Sequence, residues 1–105
     1  VMKLNFKLLA EIFKCLADET RLKIFYHISQ NESSVTAISE NLGLSQPLVS
    51  HHLKILRNNF LAKTNRKGAF VYYMAGDKNF FSMINKLNAL AYEKAAKKYL
   101  LEEES

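Results

Sequence analysis

Apolar residues recur along this chain at helical spacing in most stretches and alternate in one. Leu4, Leu8, Ile12 and Leu16, with Leu9 and Phe13 beside them, form a wide stripe that predicts a first amphipathic helix. Asp18 is placed to cap a second helix, with Glu19 in its first turn favoured by the positive helix end. Leu22, Ile24, Phe25 and Ile28 face inward there until SQNESS closes the helix. A short third helix runs through Ile38 and Leu42 and stops at Gly43, a residue free to adopt the left-handed conformation. Ser45 then caps a fourth helix over 45–58, and Pro47 is tolerated because the amides of a first turn have no intrahelical partner.

A short helix, a tight turn and a second helix make a helix-turn-helix candidate. After Asn58 and Asn59 the pattern changes. FLAKTNRKGAFVYYMA alternates and is rich in aromatic and β-branched residues, which predicts a β-hairpin over 61–75 turning at Arg66-Lys67-Gly68. From about Asn79 the helical period returns, with Phe80, Ile84, Leu87, Ala91 and Ala95 on one face, Met83 and Leu90 adjoining, and an acidic Glu102-Glu103-Glu104 end expected to fray. The expected fold is mainly α with a small β-hairpin, in the order α-α-α-α-β-β-α, a winged helix-turn-helix filling residues 1–105 as a single domain.

Composition narrows the function. The chain has 105 residues, 49 % hydrophobic and 24 % charged, with three glycines and one proline, which suits a compact helix-rich globule. No apolar run approaches the roughly 20 residues needed to cross a bilayer, and Lys3, Lys7 and Lys14 interrupt the opening apolar positions in a way that argues against a secretory signal. A cytoplasmic protein with no membrane partner is expected. The lone Cys15 cannot form an internal disulfide or a multi-thiolate metal site. The formal charge of +5 hints at an anionic partner, and its distribution says more. From Asn41 through Gly76 there is no Asp or Glu, while Lys54, Arg57, Lys63, Arg66 and Lys67 fall inside that window.

The fourth helix sits in this basic window. Val49, Leu53 and Leu56 share the face that packs inward, leaving Gln46, Ser50, His51 and Lys54 on the outer face with no negative charge among them. Such a helix suits the DNA major groove: Gln can pair with adenine, Lys with guanine, Ser with several base edges, and His with a base or a phosphate. Ser45, Gln46, Ser50, His51, Lys54, Arg57, Arg66 and Lys67 are the expected contacts to double-stranded DNA. His51 and His52 point about 100° apart and cannot chelate one ion together. His52 turns toward the flank, where it meets either a phosphate or a neighbouring helix, and His27 is expected to be structural or solvent-exposed. The wide apolar faces of the first and last helices ask for a partner subunit, unless they simply cover each other within one chain.

The segments LADETRLKIF, ISENLGLSQPLVSHHLKILRNNFL and KGAFVYYMA together resemble the ArsR/SmtB family of bacterial and archaeal winged-helix transcriptional repressors, over roughly Leu16 to Ala75. The resemblance implies a homodimer formed by the first helix and residues 79–101, with Leu4, Leu8, Ile12, Phe80, Ile84, Leu87 and Ala91 at the interface. It also implies a fourth helix in each major groove of a two-fold operator, the pair separated by roughly 34 Å, and a wing with Arg66 and Lys67 at its tip.

Many members of that family sense metals, but the matching positions here lack the ligands. A Cys-Val-Cys site on the third helix is replaced by Ser34-Val35-Thr36. A zinc pattern on the last helix falls on Asp77, Asn79, Leu90 and Glu93, which keeps two carboxylates and no imidazole. A two-cysteine redox pattern would need a second thiol beside Cys15, for which buried packing is the plainer role. No metal and no cofactor is therefore expected, and no motif identifies the effector. Asp77 reads as a carboxylate near a helix start, and Glu93 as a solvated partner of Lys86 or Lys97.

Two other classes compete with this reading. A winged helix can serve as a protein-interaction module, or as an effector-sensing regulator with an organic ligand between subunits. An enzyme is not expected, because the sequence has no glycine-rich phosphate loop, nucleophile elbow or metal-ligand cluster.

Overall fold

The computed structural model describes residues 2–104, with side chains through Leu100. The elements follow the expected order: α1 (Phe6–Leu16), α2 (Glu19–Gln30), α3 (Val35–Leu42), α4 (Gln46–Asn58), β1 (Ala62–Lys67), β2 (Phe70–Ala75) and α5 (Asn79–Glu104). Local chemistry sets most boundaries. Side-chain oxygens of Asn5, Asp18, Ser34 and Ser45 accept from the amides of Leu8, Arg21, Ala37 and Leu48, capping α1 to α4 in turn. Gly43 ends α3 at φ 65°, and Pro47 lies in the first turn of α4.

Two boundaries differ from expectation. Helix α1 starts at Phe6, so Leu4 precedes its Asn5 cap and is not part of the helical stripe. The hairpin pairs Lys67 with Phe70, which leaves Gly68 and Ala69 as a two-residue turn and moves Arg66 and Lys67 into β1. Only Gly68 of that turn has positive φ, the pattern of a type II′ turn with glycine at its first central position. The helical backbone of α5 runs to Glu104.

The core lies where α2, α3 and α4 meet the base of the hairpin: Ile24, Phe25, Ile38, Val49, Leu53 and Leu56 are each fully buried. Phe80 of α5 packs edge-on against Phe25, with ring centroids 5.1 Å apart. Leu22, expected to face inward, is 36 % exposed at the rim of this core. Cys15 is buried and free, as its packing role required. Phe60, in a left-handed turn at φ 59°, carries the chain from α4 into β1. Gly76 closes the other end of the hairpin, where a β-carbon would lie 2.6 Å from the Phe60 carbonyl oxygen.

One pairing had no signal in the pattern. Ser33, between α2 and α3, exchanges both backbone hydrogen bonds with Tyr73, its amide donating at 2.9 Å and its carbonyl accepting at 2.7 Å. A single residue thus extends the two-stranded sheet on the β2 side.

Candidate nucleic-acid interface

Helix α4 is fixed from beneath by Val49, Leu53 and Leu56, so its outer face is presented on a rigid element. Gln46, Ser50, His51, Lys54 and Arg57 are all exposed, as is the cap Ser45. The Gln46 side chain reaches back to α3, its Nε2 donating to Thr36 Oγ1 at 3.4 Å, which ties the two helices of the motif together outside the core. Ser50, Lys54 and Arg57 converge with Asn58 and Tyr73 around an open groove of about 510 Å³. Tyr73 and Asn58 were not among the expected contacts. Period-2 alternation in β2 could have found Tyr73, because it lies two residues before the buried Ala75 and so shares its face.

The same alternation separates the two wing cations. Ala62, Thr64 and Arg66 share one face of β1, opposite Ala75, Tyr73 and Val71, and this face continues from the core toward the α4 groove. Lys63, Asn65 and Lys67 share the other face, with Phe70, Tyr72 and Met74. On that side Lys67 Nζ lies 3.4 Å from Glu32 Oε1 and 5.3 Å from the centroid of the Tyr72 ring. Arg66 and Lys67 lie beside the turn, where the tip was expected, and although neighbours in sequence they are on opposite faces in space.

His51 and His52 divide in the same way. His51 is exposed on the outer face, whereas His52 is buried, 6 % exposed, against α2. Its Nδ1 lies 3.3 Å from Arg21 Nη1, and its Nε2 lies 3.8 Å from Asp18 Oδ2. A guanidinium only donates, so this network assigns the Nδ1 lone pair to Arg21 and the imidazole proton to Nε2. Burial holds the His52 pKa below 6.5, against the opposing pull of Asp18 and with a further push from Arg21 and His51. Asp18 titrates below 3.8, chiefly because its carboxylate accepts the Arg21 amide at the start of α2. Arg21 also donates from Nε to the Cys15 carbonyl at 2.5 Å, joining the end of α1 to the same cluster. The spacing Val49, His52, Leu53, Leu56 is the inward-facing helical pattern, which is the signal that marks His52 as buried. His27 is half-buried, with Nε2 3.3 Å from Ser33 Oγ, the structural one of the two roles expected.

The positions matching a zinc pattern do not fit the metal. Asp77 Oδ1 accepts the Asn79 amide at 2.7 Å at the start of α5, Glu93 pairs with Lys97 at 3.4 Å, and Leu90 offers hydrocarbon. No group of three or more His, Cys, Asp or Glu side chains gathers among the described residues.

Helices α1 and α5 leave a trough of about 650 Å³ lined by apolar side chains, among them Leu9, Ile12, Phe13, Leu22, Ile84 and Leu87, with Asn88 as its polar exception. Phe13 is 60 % exposed and Leu87 48 %. Both stripes line this trough, and they do not cover each other. Among the described residues no helix is long and apolar enough to cross a membrane.

Comparison with known proteins agrees with this geometry. The family profile described as "Bacterial regulatory protein, arsR family" matches residues 18–62. The cadmium resistance transcriptional regulatory protein CadC homolog of Staphylococcus aureus is 36 % identical over 78 residues, covering 73 % of this chain and 64 % of its own length. The transcriptional activator HlyU of Vibrio cholerae is 35 % identical over 79 residues, covering 75 % of this chain and 73 % of its own. The reduced HlyU structure superimposes with a TM-score of 0.73, covering 82 % of this chain and 90 % of that one. The homodimeric winged helix-turn-helix domain of Mb0332 from Mycobacterium bovis superimposes with a TM-score of 0.76 at 26 % identity, covering 86 % of this chain and 83 % of that one. From the cap of its second helix to the first strand of its wing and beyond, this chain belongs to the arsR family of bacterial regulatory proteins.

Proposed function

We propose that the protein is a homodimeric, sequence-specific DNA-binding transcriptional regulator that acts as a repressor at a two-fold symmetric operator in the cytoplasm. The observation that carries this reading is the convergence of Ser50, Lys54, Arg57 and Tyr73 around one groove, inside a stretch from Asn41 to Gly76 that holds no acid. Helix α4 enters the major groove, with Gln46, Ser50, His51 and Lys54 turned to base edges, while Ser45, Arg57 and the wing address the backbone. The trough takes a second copy of the chain, pairing Leu8, Ile12, Phe80, Ile84, Leu87 and Ala91 across a symmetric interface, with Leu4 adding to it from before α1. Curated relatives include both repressors and an activator by name. Repression is favoured because covering a promoter requires nothing beyond tight binding. Membership of a regulatory family also argues against an enzyme.

The test is a fluorescence-anisotropy titration against the protein's own upstream duplex, with a scrambled duplex as competitor and no added metal. The expected result is selective binding, stronger than to the scrambled duplex by several kcal/mol, together with loss of transcription from that promoter in a reconstituted reaction. Equal, weak binding to both duplexes overturns the reading in favour of a protein-contact module.

A further inference from the structure

On the side of the wing turned away from the α4 groove, the basic hairpin binds a carboxylate that electrostatics alone would remove from a phosphate-binding element. Glu32, between α2 and α3, accepts from Asn65 Nδ2 at Oε1 (3.1 Å) and from Lys67 Nζ at Oε2 (3.4 Å). Its side chain is 29 % exposed and that of Lys67 59 %, so only the carboxylate end of the contact is partly shielded from water. The Lys67 ammonium lies near both this carboxylate and the Tyr72 ring, 5.3 Å from the ring centroid. The adjoining Ser33 is hydrogen-bonded through its backbone to Tyr73, which fixes where Glu32 begins. The sequence supplies no other acid from Asn41 to Gly76, so Glu32 reaches into the basic window from outside it. An acid there weakens attraction for phosphate, and a role in wing geometry accounts for its presence.

We propose that Glu32 is a positioning residue for the wing: through Asn65 and Lys67 it fixes the pose of β1, commits Lys67 to the fold, and leaves Arg66, on the opposite face, as the phosphate-contacting cation. The role of Arg66 rests on the DNA-binding reading above, whereas the clamp itself exists without DNA. The two cations are adjacent in sequence, and the register puts them on different faces.

Two measurements test this on the full chain. Hydrogen exchange of the Ser33 and Tyr73 amides, without DNA, reports opening of the clamp. Glu32→Ala and Lys67→Ala are each expected to speed that exchange roughly two- to fivefold, as loss of a largely exposed ion pair allows. Glu32→Gln, which keeps an acceptor for Asn65, is expected to speed it less. Lys23→Ala, which breaks the Glu19–Lys23 pair elsewhere, leaves it unchanged. The second measurement is the salt dependence of operator binding, where Arg66→Ala should flatten the log–log slope by about 0.9, one phosphate's worth, and Lys67→Ala should leave it at the wild-type value. The proposal is overturned if Glu32→Ala leaves the Ser33 and Tyr73 amides as protected as before, or if Lys67→Ala flattens the slope as far as Arg66→Ala. A wild-type protein that ignores its operator refutes the DNA-binding reading and the role of Arg66, and the exchange arm then judges the clamp by itself.

Discussion

Truncating Leu87 tests the dimer reading with a magnitude the structure supplies. Leu87 lies in the α1–α5 trough and is 48 % exposed in the single chain, so about half of its burial remains for a partner to complete. Fully burying a leucine side chain contributes about 1.5–3 kcal/mol, which leaves roughly 0.7–1.5 kcal/mol per copy for association. Two-fold symmetry places the residue in the interface twice, so Leu87→Ala should weaken the dimer by about 1.5–3 kcal/mol, or roughly ten- to a hundredfold in its dissociation constant. Sedimentation velocity over a dilution series measures this directly. Phe70→Ala is the control, since Phe70 is 63 % exposed on the wing, far along the chain from the trough. Operator affinity should fall with the dimer at low protein concentration, because a two-fold site engages both copies. The reasoning fails if Leu87→Ala dissociates no more readily than wild type, or if Phe70→Ala shifts the equilibrium as far.

Three further outcomes follow from other parts of the molecule. Ser50→Ala and His51→Ala should each weaken binding to the operator by about 1–3 kcal/mol and binding to random DNA by much less, which competition band-shifts resolve; equal losses would place the reading face elsewhere. Leu53→Ala, at a fully buried position, should cost about 2–5 kcal/mol of stability in urea denaturation. The buried His52 makes stability depend on pH: its folded pKa lies below the unfolded value of 6.5, so the unfolded chain takes up its proton first as the solution is acidified. Stability should therefore be level above pH 6.5 and fall from there toward the lower folded pKa, and His52→Gln should flatten that fall in urea melts at pH 7.5, 6.5 and 5.5.

The elements were legible because their signals are local. Asp18, Ser45 and Gly43 each act within a turn of their own position, and the structure uses all three as the sequence implies. The hairpin was legible as a hairpin, but its turn was not. Register depends on whether Gly68 is the last of three turn residues or the first of two, and composition alone does not distinguish these. That one-residue choice decides which face each wing cation occupies. The Ser33 pairing is a single residue long and leaves no period to detect. His52 was legible in principle from its spacing to Val49 and Leu56, but Arg21 as its partner is a tertiary fact. The DNA-facing face of α4 was readable because it is what remains once Val49, Leu53 and Leu56 turn inward. The groove it forms with Tyr73 and the Glu32 contact both require the chain to be folded.

The pairing of Ser33 with Tyr73 has an entropic consequence. A two-stranded hairpin alone is marginal in water, whereas this one is held along its second strand by a residue anchored between two packed helices. The wing is thus ordered before it meets a ligand. Fixing a residue's backbone costs about 1–2 kcal/mol, and here that cost falls on folding and is not deducted again from the binding energy of each wing contact.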